Sequence, residues 1–338
     1  MQPPDCSGVI RVLAAALAGM ATVVFGLPLR PARHQLAASS DTANATRLQS
    51  PAPDADPAPT AITMRNVDFH VGDDVVLHIR RLRGQMRGRN GVVDFDDISS
   101  YDVEVSSGEV GLTGDDLGNL LNRHVFAYAG APLSGIRVRV TRDGLRQTGT
   151  LHKGVDIPFD MTSAVSLTPD GRIQLHALRV RILGVNGLVL MKALGLSLER
   201  MIDLSKAHGV SAKGNDLYLD ATELLPPPRI QGRITAVRLD GDQLVQTFGS
   251  PADSVTPAPP MDPGVANFML YRGGTLHFAR LLMTDAEMLV VDADPRPPFD
   301  FDNPDYRKQL VAGHSRTLPD MGLEVWMPDA RSLRDRAP

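Results

Sequence analysis

One stretch, Arg172 to Lys206, decides the fold of this chain and reads RIQLHALRVRILGVNGLVLMKALGLSLERMIDLSK. Its first half alternates apolar and polar residues, as a half-buried strand does, and the apolar positions are Ile173, Leu175 and Ala177. The alternation then slips by one residue, so that a second apolar set follows in the other phase: Leu178, Val180 and Ile182. A slip inside a regular strand predicts a β-bulge.

The second half of the stretch changes to a helical period. One set of residues recurs at spacings of three and four: Leu190, Met191, Leu194, Leu198, Met201, Ile202 and Ser205. Further apolar residues make the first half of this segment apolar on nearly every side: Leu188, Val189, Ala193 and Leu196. The pattern predicts a helix with more apolar surface than one contact needs, which must lie against an apolar partner.

A shorter helix is predicted from Thr113 to Phe126. Thr113 is placed as its N-cap, and Asp115 and Asp116 fall in the first turn, where they complement the helix dipole. Its apolar stripe consists of Leu117, Leu120, Leu121 and Val125. Alternating runs joined by turns such as Pro169–Gly171 surround both helices and favour an antiparallel meander.

These elements predict an α+β, β-rich fold in which a long, twisted antiparallel sheet wraps around an amphipathic helix. Phase slips in two-sided strands, at Leu178 and again near Ala236, indicate a bent sheet. Two further short helices are expected, at Asp242 to Phe248 and at Asp305 to Ala312.

The N-terminal region contains an uncharged apolar run of 18 residues, Val12 to Leu29. That length lies between a signal-peptide core and a full membrane span, which needs about 20 residues. Residues 1–36 are therefore expected to be a signal peptide or a membrane anchor, and a buried core helix is the third alternative. We expect an exported protein held by one uncleaved N-terminal anchor. The alternative is a soluble exported protein after cleavage.

Composition shifts suggest the remaining boundaries. Residues 37–60 are rich in Ala, Pro, Ser and Asp and predict a disordered linker. A β-rich domain covers 61–250, a linker or long loop covers 251–263, an extension of the same sheet covers 264–330, and a tail covers 331–338.

Composition and motifs argue against several function classes. The net charge is only −4, which gives no nucleic-acid footprint, and the single cysteine, Cys6, precludes an intramolecular disulfide. The sequence contains no nucleophile elbow, phosphate-binding loop, dinucleotide fingerprint or zinc-ligand spacing. We therefore expect a non-enzymatic protein without a cofactor. The strand histidines His78, His152, His176 and His277 are expected to face solvent.

Two charged clusters remain as weak candidates for sites. Asp292, Asp294, Asp300 and Asp302 offer hard oxygen ligands, but their spacing fits no EF-hand, so a solvated loop is favoured over a metal site. One basic run could meet anionic head groups, although a solvated strand face is favoured: Arg80, Arg81, Arg83, Arg87 and Arg89.

The order of elements from about Glu109 to Gly249 resembles a bacterial envelope family. The phrases that carry the likeness are TGDDLGNLL from Thr113, GNDLYLD from Gly214 and VRLDGDQLV from Val237. The family comprises tubular lipid-binding (TULIP-like) proteins and includes mycobacterial phospholipid-binding proteins of lipomannan maintenance. The resemblance implies a sheet around a helix with an apolar groove for acyl chains. Together with the N-terminal run, it implies a bacterial inner-membrane protein with one N-terminal anchor and a periplasmic domain, or alternatively a soluble periplasmic protein after cleavage. The strands before Glu109 and the tail after Pro263 depart from the family pattern.

The favoured hypothesis is phospholipid or other acyl-lipid binding or transfer in the cell envelope, through an apolar groove between sheet and helix. Ten residues are groove candidates: Leu117, Leu120, Leu121, Val125, Leu188, Met191, Leu194, Leu198, Met201 and Ile202. For any one of them, an ordinary core position is the simpler explanation. The alternative hypothesis is a membrane-anchored envelope scaffold, or protein-interaction module, with a solid core. Protein partners cannot be read from the sequence.

Overall fold

A computed structural model describes residues 57–72, 74–182, 185–187, 189, 197–250, 265–294, 296, 298–318 and 322–334. The predicted membrane segment Val12–Leu29, most of the linker at 37–60 and the loop at 251–263 lie outside these residues. Among the residues that are described, no helix is long and apolar enough to cross a membrane.

Strands predominate, as the alternating patterns predict. The first eleven in chain order are β1 Thr60–His70, β2 Val76–Gly88, β3 Val93–Asp94, β4 Tyr101–Thr113, β5 Leu133–Thr141, β6 Gly144–His152, β7 Asp156–Leu167, β8 Ile173–Ile182, β9 Val185–Asn186, β10 Val210–Lys213 and β11 Asp216–Leu219. The other ten are β12 Arg229–Gln231, β13 Ile234–Asp240, β14 Gln243–Phe248, β15 Phe268–Arg272, β16 Thr275–Phe278, β17 Leu281–Thr284, β18 Glu287–Asp292, β19 Phe299–Asp302, β20 His314–Thr317 and β21 Leu323–Met327.

The helices described are short. They are α1 Gly114–Leu120, continued by a π-helical turn at Leu121–Val125, then α2 Leu198–Met201, α3 Ala221–Leu224, α4 Tyr306–Ala312 and α5 Ala330–Arg334. The helix predicted at Asp305 to Ala312 is confirmed as α4. Helix α5 overlaps the segment 331–338 that the sequence suggests as a tail, and begins one residue before it.

The strands form two large sheets and a small one. The first has eleven strands in the order β13-β14-β4-β2-β1-β15-β18-β21-β20, with β12 beside β4 and β19 beside β1. The second has seven, in the order β10-β11-β8-β7-β6-β5, with β9 beside β8, and the third consists of β17, β16 and β3. The C-terminal strands β15, β18, β20 and β21 thus belong to the same sheet as β1, β2 and β4.

Most strand pairs are antiparallel, as predicted, but the antiparallel order is not complete. Among the described residues four strand pairs are parallel, namely β1 with β19, β4 with β12, β18 with β21 and β3 with β16. Each of these pairs joins segments far apart in the chain. Turn residues predict only the hairpins between consecutive strands, so parallel pairing of this kind leaves no local signal.

The helix predicted at Asp242 to Phe248 is also wrong, because Gln243–Phe248 is strand β14. This strand pairs with β13 on one side and β4 on the other, and Leu244, Val245 and Gln246 are all buried. A strand covered on both faces loses its alternation, and its apolar spacing then resembles that of a short buried helix.

The bulge predicted in β8 is confirmed, with one difference. The register against β7 shifts between Ala177 and Arg179, opposite Ser163 and Thr162. Ala177, Val180 and Ile182 are buried, whereas Leu178 is 51% exposed. Leu178 is therefore the extra residue of the bulge. The sequence suggests that Leu178 shares the buried face of Val180 and Ile182, and the structure shows that it does not.

The long helix predicted after β8 is not continuous through Ser205. Ser197 has extended backbone angles, α2 covers only Leu198–Met201, and Ile202 is extended again. The turn between β10 and β11 fixes the start of α2, since the N–H of Leu198 donates to Asn215 Oδ1 at 3.2 Å and that of Glu199 to the Gly214 carbonyl at 3.1 Å. These tertiary contacts override the helical period.

Both large sheets contribute to one apolar core. It contains Met64 and Leu77 from the first sheet, Leu145 and Leu175 from the second, and Leu120 from α1. Helix α1 contacts β4 of the first sheet and β5 of the second, and the cavities described next are lined mainly by residues of this common core.

Candidate functional site

The first cavity lies against the inner face of the first sheet and has a volume of about 70 Å³. Residues from β1, β2, β4 and β14 form most of its wall, and Leu117 and Leu120 of α1 close one side. Thr222 and Gln246 are polar, and burial raises the pKa of the lining tyrosines Tyr101 and Tyr271, which keeps both neutral.

The second cavity lies between the second sheet and α2 and has a volume of about 80 Å³. Its wall includes Leu175 and Val180 of β8, Leu121 of the π-helical turn, and Met201. Gln147 is the one polar side chain among the described lining residues. Leu219 of β11 lines both cavities, so the two are neighbours separated by a single layer of side chains.

An open groove of about 660 Å³ adjoins the second cavity and is called the polar groove. Four residues line both of them: Met201, Ile202, Leu204 and Val210. The polar groove also carries charged side chains of both signs, namely Lys153, Glu199, Arg200, Asp203 and Lys206. An apolar pocket thus adjoins a charged, solvent-accessible groove.

Lys153 secures the boundary between the second cavity and the polar groove. Its Nζ donates hydrogen bonds to the carbonyl oxygens of Arg200 at 2.9 Å and Met201 at 3.2 Å. The last carbonyls of a helix have no partner within the helix, and a lysine is a favourable donor to them. The contact holds the C-terminal end of α2, and with it Met201, against the second sheet.

The structure divides the predicted groove residues between the two cavities. Leu117 and Leu120 line the first, and Leu121, Leu198, Met201 and Ile202 line the second. Val125 is buried in the common core without lining either cavity. The remaining candidates, Leu188, Met191 and Leu194, lie outside the described residues.

Sequence reasoning missed the contribution of the N-terminal strands. Ile62, Met64, Leu77 and Ile79 line the first cavity, although they precede the region of family resemblance. Their alternation with exposed residues marks them as one buried face. No local feature shows that this face meets α1, because the contact depends on how distant strands pair.

The acidic residues suggested as a metal site already form hydrogen bonds and ion pairs with other protein groups. Asp300 is bound by His70 Nε2 at 2.6 Å, by the N–H of Arg331 at 2.7 Å and by the Arg334 guanidinium at 3.1 Å. Burial would raise its pKa, but the hydrogen bond from His70 and the charges of His70 and Arg331 lower it instead. Asp302 also pairs with Arg334, and Asp294 pairs with Arg296.

Asp292 stands apart from these ion pairs. It accepts hydrogen bonds from Asn267 Nδ2 and the N–H of Asp294, both at 2.8 Å. Burial raises its pKa to about 6. Asp300 and Asp302 thus share Arg334, and the described residues do not bring the four carboxylates together as one set of metal ligands.

One other set of potential metal ligands is brought together within the described ranges: Asp94, Asp96 and His277. Each already has a protein partner. His277 Nδ1 is 2.8 Å from Asp94 Oδ1, and Asp96 accepts hydrogen bonds from the Tyr306 hydroxyl and the Arg307 guanidinium. These contacts tie the small sheet to α4, which is a structural role.

The histidine expectation holds in part. His152 and His176 are exposed, with 37% and 57% of their side-chain surface accessible, whereas only 23% of the His78 side chain is accessible. His78 lies between Asp68 and Asp116 and does not face solvent freely. None of these histidines lines either cavity.

Comparison with known proteins gives no relative: no family model, no curated protein and no solved structure matches this chain.

Proposed function

We propose that this protein binds an amphipathic lipid without covalent chemistry. The acyl portion would occupy the second cavity, and the head group would lie in the polar groove. The observation that carries the proposal is the shared wall of Met201, Ile202, Leu204 and Val210, which places an apolar pocket directly beside charged groups. A phospholipid has this same division between apolar chain and charged head.

The chemistry of the walls supports binding over catalysis. No carboxylate, imidazole, ammonium or guanidinium group lines the second cavity among the residues described. General acid–base or nucleophilic catalysis needs such a group within hydrogen-bond reach of the substrate. Lysine and arginine side chains in the polar groove can pair with a phosphate, while Glu199 and Asp203 favour a head group that also carries a positive charge.

The present size of the cavity requires it to widen on binding. A cavity of about 150 Å³ accepts benzene, and the second cavity is about half that size. Met201 is partly buried at the boundary with the groove, and methionine is unbranched and adapts its shape at little cost. Movement of Met201 would join the pocket to the groove and extend the room for a chain.

The TULIP-like architecture is part of this proposal. The support for it is that the second sheet contains a bulge in β8 and another irregularity between β5 and β6, and covers α1 and α2 with its apolar face. In the proposed setting, the segment Val12–Leu29 holds the chain at the cytoplasmic membrane and the lipid-binding region lies in the periplasm.

Native mass spectrometry of the full chain, purified from a bacterial host, tests the proposal. We expect co-purified phospholipid at near-stoichiometric amounts, and we expect Met201→Trp to remove most of it by filling the pocket. Val311→Trp is the matched control, because Val311 is 85% exposed on α4 and lines neither cavity. Circular dichroism verifies that both variants are folded.

A protein that carries no lipid and takes up no fluorescent acyl probe would refute lipid binding. That result would support the alternative of an envelope scaffold with a solid core, which the small volumes of both cavities favour. Equal lipid loss from Met201→Trp and Val311→Trp would show that any bound lipid lies elsewhere.

A further inference from the structure

The outer face of the second sheet carries an array of arginines that we name the arginine face: Arg137 and Arg139 on β5, Arg146 on β6, and Arg179 and Arg181 on β8. All five side chains are exposed. The apolar neighbours of these residues, such as Val138 and Val180, point to the opposite, buried face. The array therefore results from strand alternation together with the bulge at Leu178, which places Arg179 and Arg181 on the exposed face.

Strand register places the five arginines in two adjacent rows. One row runs Arg139, Arg146, Thr162, Arg179 across β5, β6, β7 and β8. The next row runs Arg137, Thr148, Asp160, Arg181 across the same strands. Directly paired residues of neighbouring strands lie on the same face about 5 Å apart, so the guanidinium groups form one continuous patch.

The charge of the arginine face is largely uncompensated. Asp160 is the one carboxylate in the two rows, and Arg146 binds it through two hydrogen bonds of 3.0 Å and 2.7 Å. Within the described ranges, Arg137, Arg139, Arg179 and Arg181 form no ion pair and no side-chain hydrogen bond. The hydrogen bond from Arg146 lowers the pKa of Asp160, and the charges of Arg181 and Arg179 lower it further.

The basic run of β2 and the turn after it differs from the arginine face, because carboxylates lie beside its arginines. Arg80 and Arg81 both bind the carboxylate of Glu109, which Arg238 binds as well. Arg87 lies 4.0 Å from Glu104, and Arg89 lies 3.8 Å from Asp102. The basic run that stands out in the sequence is thus mostly neutralised, whereas the arginine face becomes continuous only when strands pair.

A groove of about 640 Å³ crosses the arginine face. Three arginines, Arg146, Arg179 and Arg181, outnumber two carboxylates in its lining, Asp143 and Asp160, and Leu178 is its one aliphatic residue among those described. Leu178 is the bulge residue and is 51% exposed, so an aliphatic side chain protrudes among the guanidinium groups. No described residue of the groove is aromatic, so it offers no ring on which a nucleic-acid base could stack. Arginines around an exposed leucine match an anionic lipid surface, which combines phosphate charge with accessible acyl chains.

We propose that the arginine face docks on an anionic phospholipid bilayer, with the guanidinium groups on lipid phosphates and Leu178 at the acyl boundary. This docking is independent of cargo in the second cavity, which lies on the opposite side of the same sheet. It would orient that sheet with its outer face toward the membrane.

A fluorophore at the centre of the face tests the docking. In the full chain, Cys6→Ser removes the single cysteine, and Leu178→Cys then carries an environment-sensitive NBD label. We expect a blue shift with vesicles of phosphatidylcholine and phosphatidylglycerol, but not with phosphatidylcholine alone. About 1 M salt, which shortens the Debye length to roughly 3 Å, should abolish the shift. The label reports contact at this face even if the N-terminal segment also holds the chain on the vesicle.

Charge-reversal variants identify the residues responsible. Arg179→Glu with Arg181→Glu should weaken the anionic-vesicle response more than about tenfold. Arg137→Glu with Arg139→Glu, on another strand, should do the same and provides a second variant if the first does not fold. The matched control, Arg87→Glu with Arg89→Glu, makes the same change in net charge and should leave the response intact.

Four results would overturn the proposal: no shift with anionic vesicles, an equal shift with neutral vesicles, equal weakening by the β2 control, or a shift with duplex DNA in place of vesicles. Met201→Trp tests membrane docking independently of lipid cargo. This variant should leave the blue shift of the label with anionic vesicles unchanged, whether or not the protein carries lipid.

Discussion

His78 shows at the scale of one residue how burial and charge combine. Its Nδ1 lies 2.8 Å from Asp68 Oδ1, and its Nε2 lies 3.4 Å from Asp116 Oδ2. Burial by itself would lower the pKa of His78, but hydrogen bonds to Asp116 and Asp68 outweigh burial and raise the pKa to about 9. The imidazolium therefore links β1, β2 and α1 at neutral pH.

The sign of the resulting pH dependence follows from the raised pKa. The contribution of His78 to stability is complete below its ordinary pKa of 6.5 and is lost as pH rises toward about 9. Between these two pH values, the free energy of unfolding of the wild type, measured with urea, should fall by up to about 3 kcal/mol more than that of His78→Gln. His152→Gln, at an exposed histidine, should keep the wild-type pH dependence. Equal pH dependence in wild type and His78→Gln would contradict the assignment.

At the scale of an element, α1 shows how a local sequence signal becomes a tertiary contact. Thr113 Oγ1 accepts a hydrogen bond from the N–H of Asp116 at 3.1 Å, and the Asp116 carboxylate accepts one from the N–H of Thr113 at 2.9 Å. This capping box confirms the predicted helix start. Asp116 also accepts from the N–H of Val76 at 2.9 Å, which joins α1 to β2.

Removal of the helix cap should lower the stability of the protein by a measurable amount. Thr113→Ala should lower the free energy of unfolding by about 1–2 kcal/mol, because the N–H of Asp116 loses its acceptor. Thr113→Ser keeps the hydroxyl and should restore most of the loss. Thr317→Ala on the exposed strand β20 should stay within about 0.5 kcal/mol of wild type. Chemical denaturation measures all three, and a Thr113→Ala cost no larger than that of Thr317→Ala would refute the capping role.

At the scale of the whole molecule, the two large sheets depend on each other through one core. Leu219 of β11 is 7% exposed and lines both cavities, so it contacts the layer shared by the sheets. Trp326, the single tryptophan, lies on β21 near the far edge of the first sheet and packs against a separate cluster that includes Phe268. Its chain neighbours Val325 and Met327 belong to the same common core as Leu219, so Trp326 fluorescence should report the unfolding of that core.

Leu219→Ala should destabilise the protein by about 2–5 kcal/mol through lost burial and an enlarged cavity. Because the core is shared, we expect the midpoints of Trp326 fluorescence and of far-ultraviolet circular dichroism to fall together. Val185→Ala, at a residue 54% exposed in β9, is the control and should leave both midpoints nearly unchanged. A shift in circular dichroism alone would show that the two sheets unfold separately.

Local patterns predicted much of the element content. The capped helix α1, the helix α4, the bulge in β8 and the phase slip at Ala236 in β13 are confirmed. Each depends on residues within a few positions of one another, through side-chain periodicity or a capping hydrogen bond. Three of the six groove candidates that line a cavity could likewise be placed on α1 and its π-helical turn, from the stripe at Leu117, Leu120 and Leu121.

The sequence by itself determined where strands alternate, where α1 begins and which face of each strand is apolar. Only the tertiary structure decided that four strand pairs are parallel, that Gln243–Phe248 is a buried strand, and that α2 ends at Met201. It also decided that Arg139 and Arg179 belong to one face, because three strand pairings must form before residues forty positions apart become neighbours. Periodicity is a property of adjacent residues, whereas pairing depends on the free energy of burying distant segments together.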